Sequence, residues 1–245
     1  MSGTARITSF RTEIHSRMKA GKPEKAVPPA TRILIADDHG VMTHGLRQLL
    51  KTRPGWEVCA AARTGREAVQ LALDLRPHVA VLDILMPELN GLEAARQILK
   101  ALPRTAILFY TMCDAELAVR DAFAAGGRGF LLKSDPLPLL VTAIETLLQG
   151  KLFFSPKVSA TVVGGFLNLV RPDGPLDPAA TSLTTREREI IQLLAEGRMN
   201  KEVAASLGVS IKTVETHRAS LMKKLGLSGT ADLVRFAVRN NIIQA

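Results

Sequence analysis

Three carboxylates and one ammonium carry the chemical signal of this chain. Asp37 and Asp38 follow the apolar run Ile33-Leu34-Ile35-Ala36, Asp83 closes Val79-Ala80-Val81-Leu82, and Lys133 closes Phe130-Leu131-Leu132. Short Val/Ile/Leu runs of this kind read as strands buried on both faces of a parallel sheet. Acids at the carboxyl ends of such strands sit where open α/β sheets bind their ligands. Crowded carboxylates raise one another's pKa unless a cation neutralises them, and hard oxygen donors with room for water suit Mg²⁺. Taken singly, each residue has a plainer reading, since Asp-Asp often caps a helix and a lysine after a strand is often only solvated. Their shared placement at strand ends argues for a site.

The elements that must position them repeat as strand and helix. Five such units fill residues 31–150: Arg32 to Ala36, Trp56 to Ala62, Val79 to Asp83, Thr105 to Thr111 and Gly129 to Lys133, each followed by apolar residues at helical spacing. This predicts a flavodoxin-like, doubly wound, five-stranded parallel sheet of order 2-1-3-4-5 with right-handed crossovers. In that order the ends of the first and third strands meet at the switch point, where Asp37, Asp38 and Asp83 converge.

The chain's 245 residues, 47% hydrophobic and 22% charged, are enough for one large or two ordinary globular domains. The net charge of +9 is uneven: residues 31–150 hold 13 Lys/Arg against 13 Asp/Glu, whereas residues 1–30 hold 6 against 2 and residues 176–245 hold 10 against 7. Basic segments flanking a neutral domain suit a polyanion such as DNA. No run reaches the roughly 18 apolar residues of a membrane helix, so no membrane role is expected. Cys59 and Cys113 lack metal-binding spacing and read as structural thiols in a reducing cytosol.

Residues 1–30 read as a basic, disordered tail. Residues 151–182 read as a linker with a short helix carrying Val158, Val162, Val163, Phe166, Leu167 and Val170 on one face, stopped by the Pro/Gly segment from Arg171 to Pro178. Residues 183–245 return to helical spacing. Ile190, Ile191, Leu193 and Leu194 belong to a first helix, Asn200 to Leu207 form a second, and Gly208-Val209-Ser210 turns into a third that runs to about Leu225. On that third helix Val214, Leu221 and Leu225 point inward, while Lys212, Glu215, Thr216, Ala219 and Lys223 form a separate stripe that fits a major groove. A small bundle with charged surface helices would show the same periodicity.

The motifs Asp37-Asp38, Leu82-Asp83-Ile84-Leu85-Met86-Pro87 with Gly91, Thr111, and Phe130-Leu131-Leu132-Lys133 resemble the receiver domain of bacterial two-component response regulators. Leu183-Thr184-Thr185-Arg186-Glu187, Asn200-Lys201-Glu202 and Thr213-Val214-Glu215-Thr216-His217-Arg218 resemble the LuxR-type DNA-binding domain, an all-α four-helix helix-turn-helix unit. Together the two make the chain similar to the NarL/FixJ family over nearly all of residues 31–243. The resemblance implies that Asp83 is the phosphoacceptor for a sensor histidine kinase and that Mg²⁺ is held by Asp38, Asp83 and the Leu85 carbonyl, with Asp37 acting through water. It implies that Thr111 and Lys133 meet the phosphoryl group and that Phe130, often Tyr in the family, packs behind Thr111 as the switch is thrown. In the second domain it implies base contacts from Glu215, Thr216 and Ala219, with phosphate contacts from Lys201, Lys212, Thr213, His217, Arg218 and Lys223. It also implies double-stranded promoter DNA as partner, homodimers formed through the last helix, a cytoplasmic bacterial setting, and a receiver that masks or mispositions the DNA-binding domain until Asp83 is modified.

Two other classes share parts of this pattern. A quorum-sensing regulator would share the carboxyl-terminal domain but would have no use for the acids and Lys133. A metal-dependent phosphohydrolase on the same fold would need a second acid two residues after its nucleophile, where this chain has Leu85.

Overall fold

Alternate residues of the same strands feed two different cores, the period-two signature of a sheet covered on both faces. The computed structural model, which describes residues 30–159 and 183–243, runs β1 (Thr31–Ala36), α1 (Gly40–Lys51), β2 (Trp56–Ala62), α2 (Gly65–Leu75), β3 (Val79–Leu82), α3 (Gly91–Ala101), β4 (Ala106–Thr111), α4 (Glu116–Ala124), β5 (Gly129–Leu132), α5 (Pro138–Leu148) and β6 (Phe153–Phe154). Leu34, Ala80, Leu82, Ile107, Phe109 and Phe130 pack on one side beneath α2, α3 and α4. Ile33, Ile35, Val79, Val81, Leu108 and Leu131 pack on the other beneath α1 and α5. Each of the Leu, Ile, Val and Phe side chains contributes roughly 1.5–3 kcal/mol of apolar burial.

All neighbouring strands pair in parallel, in the order β2-β1-β3-β4-β5-β6. The expected five strands are present, but the expected count is corrected to six. Gly150, at φ 77°, turns the chain after α5, and Phe153–Phe154 add an edge strand in register with Gly129 and Phe130. A two-residue strand carries no periodicity, and the segment falls within the stretch that reads as linker. The Phe154 ring lies against Phe123 of α4, with centroids 4.8 Å apart. The expected tail and all of the expected linker helix beyond residue 159 lie outside the described residues; Val158, at its start, is buried in the first core.

The carboxyl-terminal domain comprises α6 (Thr185–Ala195), α7 (Asn200–Leu207), α8 (Ile211–Lys224) and α9 (Thr230–Arg239). Thr184 and Glu187 close a reciprocal capping box on α6, and the Ser210 hydroxyl accepts the Thr213 amide at the start of α8. Met199 offers no capping oxygen to α7. Only half of a box survives there, with the Glu202 carboxylate accepting from the Met199 amide at 2.8 Å. Val214 and Leu221 are buried and Leu225 packs against them, as their spacing predicts. On α9, Leu233 and Ala237 close the domain core while Val234 and Val238 remain partly exposed.

The loop from Asp83 to α3 is held by close backbone approach. A Cβ on Gly91 would lie 1.9 Å from the Asp83 carbonyl oxygen, and one on Gly65 of α2 would lie 1.9 Å from the Leu89 carbonyl oxygen. Gly91→Ala is expected to destabilise the amino-terminal domain by roughly 1–3 kcal/mol, the usual range for overpacking. Urea unfolding followed by far-ultraviolet circular dichroism measures this, and an unchanged midpoint would contradict the packing argument.

Candidate functional site

The ends of β1, β3 and β5 bring together the four residues singled out by type. Lys133 Nζ lies 2.6 Å from Asp83 Oδ2 and 2.8 Å from Asp37 Oδ2, with all three side chains only 3% exposed. Burial by itself disfavours the Lys133 ammonium, but the hydrogen bonds to Asp37 and Asp83 and their negative charge outweigh it and raise its pKa above the ordinary lysine value. The lysine is therefore a fixed positive charge at neutral pH.

Asp38 stands at the rim, and beside it is a residue to which the sequence reading gave no role. His39 Nδ1 lies 2.8 Å from Asp38 Oδ1 and 3.2 Å from Asp37 Oδ1, and its backbone amide donates to Asp37 Oδ1 at 2.9 Å. Its position directly after the two acids was the available signal. One ligand atom from each of Asp37, Asp38, His39 and Asp83 lies within 4.8 Å of the others. Asp37 Oδ2 and Asp38 Oδ1 are buried, with Lys133 Nζ and His39 Nδ1 respectively 2.8 Å away. Clustered carboxylate oxygens with acceptor capacity to spare fit a hard divalent cation. Leu85 follows in the same loop, its amide 3.4 Å from Asp83 Oδ1.

Thr111 ends β4 and is fully buried. Its hydroxyl accepts from the Cys113 amide at 3.3 Å, and its carbonyl accepts from the Lys133 amide at 2.8 Å. Phe130 is likewise fully buried, facing the first core between the strand neighbours Phe109 and Phe154. Ser155 donates its amide to the Phe130 carbonyl, so this residue is tied directly to the start of the linker. Met112, next to Thr111, is 68% exposed.

The second region is the outer face of α8. Lys212, Glu215, Thr216, Ala219 and Lys223 are exposed, as is Lys201 on α7, while Thr213, His217 and Arg218 are half-buried. Arg218 reaches back to the Asn200 side chain and the Thr230 hydroxyl, at 3.4 and 3.2 Å, bridging α7 to α9. The Thr216 hydroxyl is turned onto the Lys212 carbonyl at 2.9 Å.

The two domains touch through α6. Gln192 and Glu196 bond the backbone of the loop at Met86, Glu88 and Asn90, Gln97 of α3 donates to Glu189 at 2.7 Å, and Arg188 lies 3.7 Å from Glu93. Burial pushes the Asp121 carboxyl of α4 above the usual carboxylate range, partly offset by Arg188, Arg96 and Arg120. Sequence reasoning missed this contact, although Glu189, Gln192 and the C-cap Glu196 recur at helical spacing beside the apolar residues Ile190, Ile191, Leu193 and Leu194 of α6. Because α6 makes the contact, the face of α8 that carries Lys212, Glu215, Thr216, Ala219 and Lys223 is left exposed among the described residues, which do not mask it.

A doubly wound sheet with an acid-and-lysine switch point, joined to a helix-turn-helix unit, defines a two-domain regulator of transcription rather than a hydrolase or a small-ligand receptor. The chain belongs to the two-component response regulators with a LuxR-type DNA-binding domain. Residues 33–145 match the response regulator receiver domain and residues 181–237 match the bacterial regulatory proteins of the luxR family. The oxygen regulatory protein NreC of Staphylococcus epidermidis is 37% identical over 217 residues, covering 87% of this chain and 99% of that protein. Among solved structures, a LuxR-family two-component response regulator from Aurantimonas is 33% identical with TM-score 0.55, over 56% of this chain and 99% of that one. The response regulator RcsB in complex with DNA is 25% identical with TM-score 0.53, over 86% of this chain and 98% of that one. Among the described residues no helix is long and apolar enough to cross a membrane.

Proposed function

We propose that Asp83 accepts a phosphoryl group from a phosphohistidine of a sensor kinase, and that its modification promotes homodimer formation and binding to promoter DNA in a bacterial cytoplasm. The observation that carries this reading is the Lys133 bridge between Asp37 and Asp83, with Asp38 beside it. An Asp83 carboxylate oxygen attacks phosphorus, the P–N bond breaks, and the leaving imidazole keeps the electron pair. Lys133 neutralises charge on the transferring group, and Thr111 offers a hydroxyl once it turns from Cys113. Mg²⁺, held by Asp38, Asp83 and the Leu85 carbonyl with Asp37 through water, would supply further neutralisation of the phosphoryl oxygens. The chain acts here on itself alone and turns over no separate substrate. Mg²⁺-dependent labelling by acetyl phosphate, located by mass spectrometry of peptides, tests the assignment. Labelling at any residue other than Asp83 would refute it.

Met112 borders the site and slows the approach of water to the aspartyl phosphate. Met112→Ala is expected to shorten the phosphate lifetime, and equal lifetimes would sink the idea.

On DNA, Glu215, Thr216 and Ala219 meet base edges, while Lys201, Lys212, Thr213, His217, Arg218 and Lys223 serve the backbone. Lys212→Ala is expected to weaken binding uniformly across sequences and to lower the slope of log affinity against log salt by about 1. Glu215→Ala is expected to relax discrimination at one base position by about 1–3 kcal/mol. Titrations of a matched and a mismatched duplex at several salt concentrations separate the two effects, and identical behaviour of the two variants would contradict the assignment.

A further inference from the structure

The exposed stripe of α8 is chemically one-sided. Between Lys212 and Lys223, which stand at its two ends, it presents Glu215, Thr216 and Ala219. A carboxylate accepts hydrogen bonds and donates none. Thr216 has a single hydroxyl proton, and that proton is spent inside the helix on the Lys212 carbonyl at 2.9 Å, so its oxygen brings only lone pairs to a partner. Ala219 offers a methyl group, and Ser220, about 80° round the helix from Lys212, falls outside the stripe. The one arginine of α8 is withdrawn as well: the guanidinium of half-buried Arg218 holds the Asn200 side chain and the Thr230 hydroxyl at 3.4 and 3.2 Å. The centre of the stripe therefore carries acceptors and a methyl, and no donor.

The major-groove edges of the four bases answer such a surface unequally. Guanine shows N7 and O6, and thymine shows O4, all acceptors that a carboxylate repels. Adenine offers its N6 amino group but sets the acceptor N7 beside it. Cytosine offers its N4 amino group with no acceptor on its own edge. The thymine C5 methyl is the one apolar feature in the groove, and it matches Ala219, which lies one turn beyond Glu215.

We infer that α8 reads DNA without a central donor: Glu215 selects a cytosine through its N4 amino group, and Ala219 selects the methyl of a nearby thymine. The inference rests on the proposed DNA contact of α8 and names the bases which that contact takes. Guanine, the base that Arg and Lys most often read, finds no partner at the centre of this helix. Thr216 cannot supply one while its proton is held by the Lys212 carbonyl.

The test uses the full chain, with and without acetyl phosphate and Mg²⁺, to select bound duplexes from a library randomised over about 20 base pairs, two helical turns. Wild type is expected to enrich a C·G pair at one position of each half-site, and exchanging that pair should weaken binding about 5- to 150-fold. Glu215→Gln replaces the carboxylate with an amide suited to adenine N6 and N7, so it should select A·T at the same position with the purine moved to the opposite strand. Replacing the nearby thymine with uracil removes only the methyl. Wild type should then lose about 2- to 4-fold in affinity, whereas Ala219→Gly should bind the two duplexes alike; because each comparison is made on one protein, any loss of helix stability cancels. Absence of any enriched sequence in wild type under both conditions would overturn DNA reading by α8 itself. Enrichment by wild type with that position unchanged in Glu215→Gln, or changed in any other way, as from G·C to A·T with the purine kept on its strand, would overturn the cytosine assignment alone. Uracil bound as tightly as thymine by wild type would overturn the methyl contact.

Discussion

Asp83→Asn is expected to abolish labelling by a phosphate donor and, with it, the donor-dependent gain in DNA affinity and dimer population. Of the two carboxylates that flank Lys133, Asp37 and Asp83, Asp83 is the one proposed to attack phosphorus, and an amide in its place cannot form the acyl phosphate. The size of the lost gain follows from the population of the binding-competent form. If that form is about 1% of the unmodified protein, full activation improves apparent affinity by at most roughly 100-fold, and a swing from 1:99 to 99:1 needs about 5.5 kcal/mol of differential interaction. Mobility-shift titrations with and without acetyl phosphate, alongside sedimentation, measure both quantities. Equal donor responses in wild type and Asp83→Asn would refute phosphorylation gating, and because the reading face of α8 is exposed already, the gain should track dimerisation.

Lys133→Ala is expected to be the most destabilising single change at the site. It removes the cation that sits between two carboxylates, each 3% exposed, at 2.6 and 2.8 Å. Breaking a buried pair by deleting one partner leaves uncompensated charge and typically costs about 3–5 kcal/mol. In wild type the raised lysine pKa means that this stabilisation is fully present below the ordinary lysine value of about 10.4 and is lost only as pH climbs through the higher folded value. Physiological pH therefore keeps all of it. A divalent cation can take over part of the lost neutralisation, so Mg²⁺ should stabilise Lys133→Ala more than wild type. Urea unfolding of both proteins with and without Mg²⁺ decides the matter. A loss below about 1 kcal/mol, or equal stabilisation of both by Mg²⁺, would show that the carboxylates do not depend on Lys133 for compensation.

Much of the fold was legible because the physics that builds it is local. Runs such as Val79 to Leu82 are apolar on both faces, and the helix starts at Thr184 and Ser210 announce themselves by residue type and spacing. The convergence of Asp37, Asp38, Asp83 and Lys133 followed from topology, since strand order fixes which carboxyl ends meet. β6 was not legible, because two phenylalanines have no period and gain strand geometry only by lying beside Gly129 and Phe130. His39 was visible but unassigned, since an imidazole directly after two acids acquires a role only once its ring is seen turned back onto them.

The sequence by itself determined the two-domain class, the switch-point acids and the face of α8 that could read DNA, because periodicity and strand-end placement are properties of the chain. The tertiary structure alone decided how the two domains meet. Glu189, Gln192 and Glu196 would serve equally well as a solvated helix face, and only packing shows Gln192 buried against the backbone of the loop that leaves Asp83. A side-chain amide bonded to main-chain groups carries no residue-type complementarity that a sequence could reveal, since every non-proline residue offers the same amide and carbonyl. That is why the contact nearest to the switch was the one the sequence left unwritten.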